Sequence, residues 1–173
     1  MESFETIQTK TPEEMHKDEL LKKANSTLEQ LGLTARYRKL KESLEGCEML
    51  KGKKIVMVDD IANLMLMFAG DLIVATDGNS SFILHTDQTE GDLVKQILDA
   101  NPDIVLMDKN LANNLSGVDV TKDLLNNNSS INVIGFSSES SAGKEFLSAG
   151  AKGFVDKDTS DTIGTIQNIA KNI

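Results

Sequence analysis

The amino-acid sequence predicts an α/β domain with a five-stranded parallel sheet, preceded by a helical N-terminal extension. From residue 54 onward, short apolar runs alternate with longer segments of helical periodicity, which is typical of a parallel sheet covered by helices. Several of these runs end abruptly in Asp or Ser, as buried strands do when they deliver polar side chains to the edge of a sheet. The predicted strands lie near residues 54–58, 81–86, 103–107, 131–136 and 152–155, and the predicted helices near residues 62–75, 89–100, 117–126, 140–149 and 159–172.

The composition is that of a globular protein without a membrane span. The chain has 173 residues, of which 39% are hydrophobic and 26% charged, so one domain with a sizeable core can form beside a smaller appendage. Its start lacks the basic and apolar regions of a signal peptide, and no apolar run reaches the ~18 residues that a membrane span needs. The single cysteine, Cys47, excludes an internal disulfide, and two histidines far apart argue against a structural zinc site. We therefore expect a cytoplasmic protein.

Negative charge is concentrated in the main domain. The formal net charge is −9 at pH 7, and residues 1–53 contribute nothing to it because their ten basic and ten acidic side chains cancel. Residues 54–173 hold eight basic and seventeen acidic side chains. Such a domain would repel the phosphates of nucleic acid, and it suits a site that collects a divalent cation.

Residues 1–50 form the predicted extension, and residues 51–173 form the main domain. The run Thr11-Pro12-Glu13-Glu14 indicates a helix start, because it combines a capping box with proline at the first helical position. Apolar residues then recur at spacings of three and four as far as Gly32, and a second such stripe runs from Leu33 to Leu44. We therefore predict a helical hairpin over residues 11–46, and we expect it to serve packing or dimerisation.

The first helix of the main domain, residues 61–75, is apolar nearly all the way round. A helix that packs on a sheet normally keeps a polar outer face, so we expect something to cover this one. The N-terminal hairpin is the nearest candidate, and a second copy of the protein is the other. If the hairpin covers it, deletion of residues 1–50 should expose the helix and cause aggregation.

Polar side chains follow four of the predicted strands. The first strand ends in Asp59 and Asp60, the third in Asp108, the fourth in Ser137 and the fifth in Lys157. Right-handed crossovers bring these strand ends to one edge of the sheet. Neighbouring carboxylates repel unless a cation lies among them, and Mg²⁺ prefers such carboxylates together with water and phosphate oxygens. A hydroxyl and an ammonium suit the orientation and neutralisation of a phosphoryl group, so the pattern predicts a phosphorylated aspartate.

With these motifs in this order, residues 53–173 resemble the receiver domains of two-component response regulators. The resemblance is carried by residues 54–60 (KIVMVDD), 102–108 (PDIVLMD), 133–138 (VIGFSS) and 150–157 (GAKGFVDK). It implies a flavodoxin-like, doubly wound fold in which the five parallel strands have the order 2-1-3-4-5.

The resemblance also implies a role for each residue at the sheet edge. Asp108 is the expected phosphoacceptor, and Lys157 and Ser137 are expected to bind phosphoryl oxygens. The expected Mg²⁺ ligands are Asp60, Asp108 and the backbone carbonyl of Asn110, with Asp59 holding the water shell of the metal.

Two further pairs of residues have implied roles. Ser137 and Phe154 are the expected switch pair, which moves together on phosphorylation. Asn110 and Glu139 stand at positions that tune the phosphoryl lifetime in the family.

The function implied is a phosphorylation-dependent signalling switch rather than a conventional enzyme. The phosphoryl group would come from a sensor histidine kinase or a phosphotransfer protein, and the only chemistry expected of the chain is self-catalysed phosphoryl transfer and autodephosphorylation. Because the sequence ends with the fifth helix, we expect the output to come from a surface change, with the N-terminal hairpin as the candidate output or docking element. A second copy of the chain is a candidate partner, in a homodimer formed through the hairpin or the first receiver helix.

Two alternatives remain open at this stage. The first is a receiver-like scaffold that binds a partner constitutively, which is favoured by Asp158 and Ala112 at positions where the family usually has proline. The second is a magnesium-dependent phosphatase with an aspartyl intermediate. Such enzymes commonly need a second Asp two residues after the nucleophile, where this chain has Asn110.

Overall fold

The main element of the protein is a five-stranded parallel sheet. The computed structural model describes residues 42–89 and 91–173, so the hairpin predicted over residues 11–46 lies outside the described residues except for its last few positions. Within them the five strands of the sheet stand in the order β2 (Ser80–Leu84), β1 (Ile55–Asp59), β3 (Ile104–Met107), β6 (Asn132–Ser137) and β7 (Gly153–Asp156). This confirms the predicted order 2-1-3-4-5, counted over the strands of this sheet alone. Two short strands that lie between β3 and β6 in the chain, β4 (Asn110–Leu111) and β5 (Leu115–Ser116), are not part of this sheet.

In the described part of the chain, four helices connect the strands of the sheet and a fifth follows the last strand. Three of them begin at a side chain that accepts a hydrogen bond from the first turn, namely Asp92, Ser116 and Asp161. The cap at Asp92 explains why the second helix begins at Leu93 rather than near residue 89. The helices are α1 (Ala62–Ala75), α2 (Leu93–Asp99), α3 (Gly117–Asn127), α4 (Ala142–Ser148) and α5 (Thr162–Lys171).

The core lies on both faces of the sheet because its central strands are apolar throughout. Every residue of β1 and β3 is buried. One face of the sheet packs against α2, α3 and α4, with Leu124 and Phe146 fully buried there. On the other face α1 packs beside α5, and Phe68 of α1 meets Phe136 of β6 edge to face at 5.1 Å. Burial on both faces leaves the carboxyl ends of the strands as the place where polar side chains gather.

A small hairpin after β3 was not predicted from the sequence. It pairs β4 (Asn110–Leu111) with β5 (Leu115–Ser116) in antiparallel fashion. A 3₁₀ turn, Ala112–Asn114, joins the two strands, and Asn113 and Asn114 have φ values of 60° and 56°. Asparagine tolerates this left-handed region better than most residues do. The hairpin carries the chain from the sheet edge to the start of α3.

The residues just before the sheet pack against α5. A 3₁₀ turn spans Glu48–Leu50, and the side chains of Leu44, Cys47 and Leu50 are buried. The Gln167 side-chain amide donates hydrogen bonds to the backbone carbonyls of Ser43 and Glu45, each at 3.2 Å. The domain boundary at residue 50 remains a prediction.

The outer side of α1 is apolar and exposed. Leu66 is 70% exposed and Ile73 is 45% exposed. Ile61 and Met67 share this exposure. Its cover, whether the N-terminal hairpin or a second copy, remains a prediction. None of the helices in the described part of the chain is long and apolar enough to cross a membrane.

Candidate functional site

Three carboxylates meet at the carboxyl edge of the sheet. Asp59 ends β1, Asp60 follows it, and Asp108 comes directly after the neighbouring strand β3. One carboxylate oxygen from each of the three lies within 4.8 Å of the others. Asp59 and Asp108 are buried, and Asp60 is partly exposed. Oxygen ligands at this spacing fit a divalent metal ion, since hard cations such as Mg²⁺ bind carboxylates.

Lys157 places a buried ammonium between two of these carboxylates. Its Nζ lies 2.6 Å from Asp59 Oδ2 and 2.6 Å from Asp108 Oδ1, and its side chain is 3% exposed. The Lys157 amide donates to the backbone carbonyl of Ser137, which keeps this part of the chain beside β6. The described residues contain no cis peptide bond. Lys157 thus reaches the carboxylates although Asp158 replaces the proline that is usual in the family.

The charge of the cluster is not balanced by Lys157 alone. Three carboxylates face one ammonium, and the pKa of Asp60 is raised above its usual range, first by burial and then by the negative charges of Asp59 and Asp108. A bound divalent cation would remove this repulsion. The electrostatics therefore point to the same use of the cluster as its geometry.

Backbone groups orient two of the carboxylates. Asp108 Oδ2 accepts a hydrogen bond from the amide of Asn110 at 2.9 Å, and Asp59 Oδ1 accepts one from the amide of Ile61 at 2.9 Å. Gly117 closes the other side of the Asp108 loop, where its amide donates to the carbonyl of Lys109 at 2.8 Å. A Cβ on Gly117 would overlap the carbonyl oxygen of Asp108. The Asp108 loop is therefore held by the start of α3 as well as by β3.

The predicted switch residues lie on β6, which pairs with β3, and on β7, which pairs with β6 at the edge of the sheet. Ser137 ends β6, is buried, and its hydroxyl oxygen accepts a hydrogen bond from the Glu139 amide at 3.4 Å. Phe154 of β7 is partly buried and stacks on Phe146 of α4, with ring centroids 6.2 Å apart. Gly135, its partner in β6, leaves the space that the two rings occupy. The hydroxyl and the aromatic ring thus lie on adjacent strands.

Two residues at the sheet edge were not singled out from the sequence. Lys109, the residue after Asp108, forms ion pairs with Glu139 at 2.9 Å and Glu145 at 2.8 Å. His85 follows β2, its amide donates to the carbonyl of Asp59 at 2.8 Å, and its buried Nδ1 has no hydrogen-bond partner among the described residues. His85 comes directly after β2, and Lys109 comes one residue after the end of β3. This position at a strand end is the signal that could have identified both residues.

The sequence matches the model of one protein family. The family model described as the response regulator receiver domain matches residues 55–166. No protein of curated function matches the sequence significantly.

Three solved structures illustrate the likeness of the fold. The response regulator TrrA from Thermotoga maritima, in complex with Mg²⁺ and beryllium fluoride, is 18% identical with a TM-score of 0.55, over 70% of this chain and 99% of that one. The receiver domain of the histidine kinase CKI1 from Arabidopsis thaliana, complexed with Mg²⁺ and BeF₃⁻, is 20% identical with a TM-score of 0.53, over 73% of this chain and 95% of that one. The BeF₃⁻-activated DrrB receiver domain is 16% identical with a TM-score of 0.51, over 69% of this chain and 97% of that one. At these identities the likeness establishes the fold.

Proposed function

Because this chain belongs to the response regulator receiver family, we propose that it is a phosphorylation-dependent signalling switch of a two-component system. Asp108 accepts a phosphoryl group from the phosphohistidine of a sensor histidine kinase or of a phosphotransfer protein. The observation that carries the proposal is the cluster of Asp59, Asp60 and Asp108, two of whose carboxylates, those of Asp59 and Asp108, pair with Lys157.

In the proposed transfer, an oxygen of Asp108 attacks phosphorus, the phosphorus–nitrogen bond of the donor breaks, and the leaving imidazole takes up a proton. Lys157 is already within 2.6 Å of Asp108, so its ammonium can neutralise an oxygen of the incoming group. The Ser137 hydroxyl donates a hydrogen bond to a second oxygen. Catalysis consists mainly of positioning and charge stabilisation, as is general for phosphoryl transfer.

Mg²⁺ would be held by Asp60, Asp108 and the backbone carbonyl of Asn110, with Asp59 holding its water shell. When bound, it supplies positive charge to the phosphoryl oxygens and relieves the repulsion that raises the pKa of Asp60. The carboxylate oxygens within 4.8 Å of one another support this assignment. Hydrolysis then returns the Asp108 carboxylate and inorganic phosphate.

The signal would leave the site through Ser137 and Phe154. A shift of the Ser137 hydroxyl toward a phosphoryl oxygen moves β6, and Phe154 lies on the adjacent strand β7. The ring is only partly buried, so a change in its position alters the surface beside α4. An output protein would bind the altered surface beside α4.

The remaining partners follow from exposure and charge. A homodimer through α1 or through the N-terminal hairpin is proposed because the outer face of α1 exposes Leu66, Met67 and Ile73. The acidic balance of residues 54–173 argues against nucleic acid as the partner of this domain. We propose the cytoplasm as the location.

A second candidate is a receiver-like scaffold that binds its partner without phosphorylation. Two observations favour it: Asp158 and Ala112 replace the usual prolines, and the Asp108 side chain is 10% exposed while already paired with Lys157. In this case the ion pair between Asp108 and Lys157 would serve only to stabilise the fold, and the surface would bind its partner at all times.

Phosphorylation by a small donor separates the two candidates. The protein is incubated with acetyl phosphate and Mg²⁺, and the intact mass is measured before and after mild base. We expect a labile phosphoryl adduct on the natural chain and none on Asp108→Asn. The matched control is Asp156→Asn, which removes an exposed carboxylate at the same sheet edge and should keep the adduct. No adduct on the natural chain, or one that survives Asp108→Asn, would contradict the switch.

A further inference from the structure

Lys109 bridges two carboxylates that come from different parts of the chain. Its Nζ lies 2.9 Å from an oxygen of Glu139, in the loop after β6, and 2.8 Å from an oxygen of Glu145, in the first turn of α4. The Lys109 side chain is 16% exposed, whereas the two glutamates are about half exposed. The ammonium therefore lies against the protein and ties two distant segments to the residue after Asp108.

Glu139 connects this contact to the hydroxyl of Ser137. Its carboxylate also accepts a hydrogen bond from the Ser141 hydroxyl at 2.8 Å, and its amide donates to the Ser137 hydroxyl oxygen at 3.4 Å. The pKa of Glu139 lies below its usual range, first because of its hydrogen bond with Lys109. Polar contacts thus run without a break from Lys109, through Glu139, to Ser137.

The backbone of Lys109 is itself well anchored. Its carbonyl accepts a hydrogen bond from the Gly117 amide at the start of α3, and the preceding amide, that of Asp108, donates to the carbonyl of Val58 in β1. A side chain rooted in a rigid backbone can restrain a loop, whereas one rooted in a loop would move with it. Lys109 has this rigid attachment.

From these contacts we infer that Lys109 is a positioning residue of the phosphoryl site. It holds the loop after β6, and through Glu139 the Ser137 hydroxyl, in place beside Asp108. The inference rests on the proposed function and adds a residue to its machinery. Without the ammonium, two carboxylates lose a shared partner and the loop samples positions in which the hydroxyl no longer reaches a phosphoryl oxygen.

The test compares Lys109→Met, which keeps the length of the side chain but not its charge, with Lys109→Arg, which keeps the charge. The readouts are the apparent affinity for BeF₃⁻ in the presence of Mg²⁺ and the rate of phosphorylation by acetyl phosphate. Two partly exposed ion pairs are of modest strength, so we expect Lys109→Met to lower both by about threefold to tenfold. Lys109→Arg should recover most of the loss. High NaCl should lower the BeF₃⁻ affinity and the phosphorylation rate of the natural chain toward the values of Lys109→Met.

A double-mutant cycle makes the assignment specific. In a Glu139→Gln/Glu145→Gln background, Lys109→Met should have little further effect, because the partners of the ammonium are already gone. Unchanged BeF₃⁻ affinity and rate in Lys109→Met would overturn the inference. The inference would also be overturned if Lys109→Met lowered affinity and rate by the same factor in the Glu139→Gln/Glu145→Gln background, since the effect of Lys109 would then not depend on these carboxylates.

Hydrogen exchange separates this inference from the proposed function. If the natural chain takes up neither BeF₃⁻ nor a phosphoryl group, the proposed switch fails. The restraint is then decided by exchange of the amides of residues 138–142, among them the Glu139 amide bonded to Ser137. Faster exchange in Lys109→Met than in Lys109→Arg supports the restraint, and equal exchange overturns it.

Discussion

Gly117 shows how tightly one residue can be constrained by the backbone of Asp108. A Cβ at this position would overlap the carbonyl oxygen of Asp108 and lie 2.9 Å from its carbonyl carbon. Neither atom belongs to a flexible side chain, so the clash can be relieved only by moving α3 or the Asp108 loop. We expect Gly117→Ala to lower the free energy of unfolding by about 3 kcal/mol or more, measured by urea denaturation.

Gly70 provides the matched control for this substitution. It lies in α1, and a Cβ there would have no neighbour within 4 Å. Alanine is the better helix former by about 1 kcal/mol, so Gly70→Ala should leave stability unchanged or raise it. Equal effects of the two substitutions would contradict the role assigned to Gly117.

The Asp60 carboxyl gives a prediction about pH in the absence of Mg²⁺. Its pKa is raised in the folded protein, first by burial and then by Asp59 and Asp108. The folded state therefore binds the proton more tightly than the unfolded state, and the stability gained from that proton is lost as the pH rises through the folded pKa. At neutral pH we expect Asp60→Asn to be more stable than the natural chain.

The stability difference between the two chains should narrow as the pH falls from neutrality toward the raised pKa of Asp60. Urea denaturation in EDTA at a series of pH values measures it. Asp87→Asn, which removes an exposed carboxylate after β2 that is not part of the cluster, is the matched control variant. A difference that is constant with pH would contradict the role assigned to the Asp60 proton.

At the scale of elements, the contact between β6, β7 and α4 depends on a missing side chain. A Cβ on Gly135 would overlap the Phe146 ring and lie 2.9 Å from the Phe154 ring. Gly135→Ala should therefore displace one ring and lower the free energy of unfolding by about 1–3 kcal/mol. Because Phe146 is the nearer ring, Phe146→Leu should lower the free energy of unfolding less in the Gly135→Ala background than in the natural chain. Additive effects in urea denaturation would mean that the rings do not meet Gly135.

The elements that could be predicted are those with a strong apolar pattern. The runs before Asp59, Asp108 and Ser137 are buried on both faces, so continuous hydrophobicity alone identified their strands. The carboxyl ends of parallel strands share one edge of the sheet, so the sequence alone predicts that the carboxylates lie together.

The contacts that could not be predicted depend on local geometry. The strands β4 and β5 have two residues each, too few to show a periodicity. The ion pairs of Lys109 join residues 30 and 36 positions apart, between segments whose relative placement is set only by the packed sheet. Side-chain partners of this kind follow from tertiary packing rather than from sequence pattern.

At the scale of the whole molecule, the fold concentrates charge that it cannot neutralise by itself. All of the net charge of −9 belongs to residues 54–173, and of the three carboxylates in the cluster only Asp59 and Asp108 pair with the buried ammonium of Lys157. Monovalent salt screens the exposed charges but reaches a buried cluster poorly. A divalent cation bound among the carboxylates acts at the cluster itself, so the two kinds of salt should affect stability differently.

This difference leads to a prediction for thermal unfolding. A ligand at about 100 times its Kd stabilises a folded protein by about 2.7 kcal/mol, so saturating Mg²⁺ should raise the Tm by roughly 5–10 °C for a domain of this size. NaCl at the same ionic strength should have a smaller effect. In Asp60→Asn/Asp108→Asn the starting Tm should be higher, since repulsion in the cluster is reduced, but the gain specific to Mg²⁺ should disappear. A Mg²⁺ response of equal size in this variant and in the natural chain would place the cation elsewhere on the acidic surface and remove the main support for the metal site.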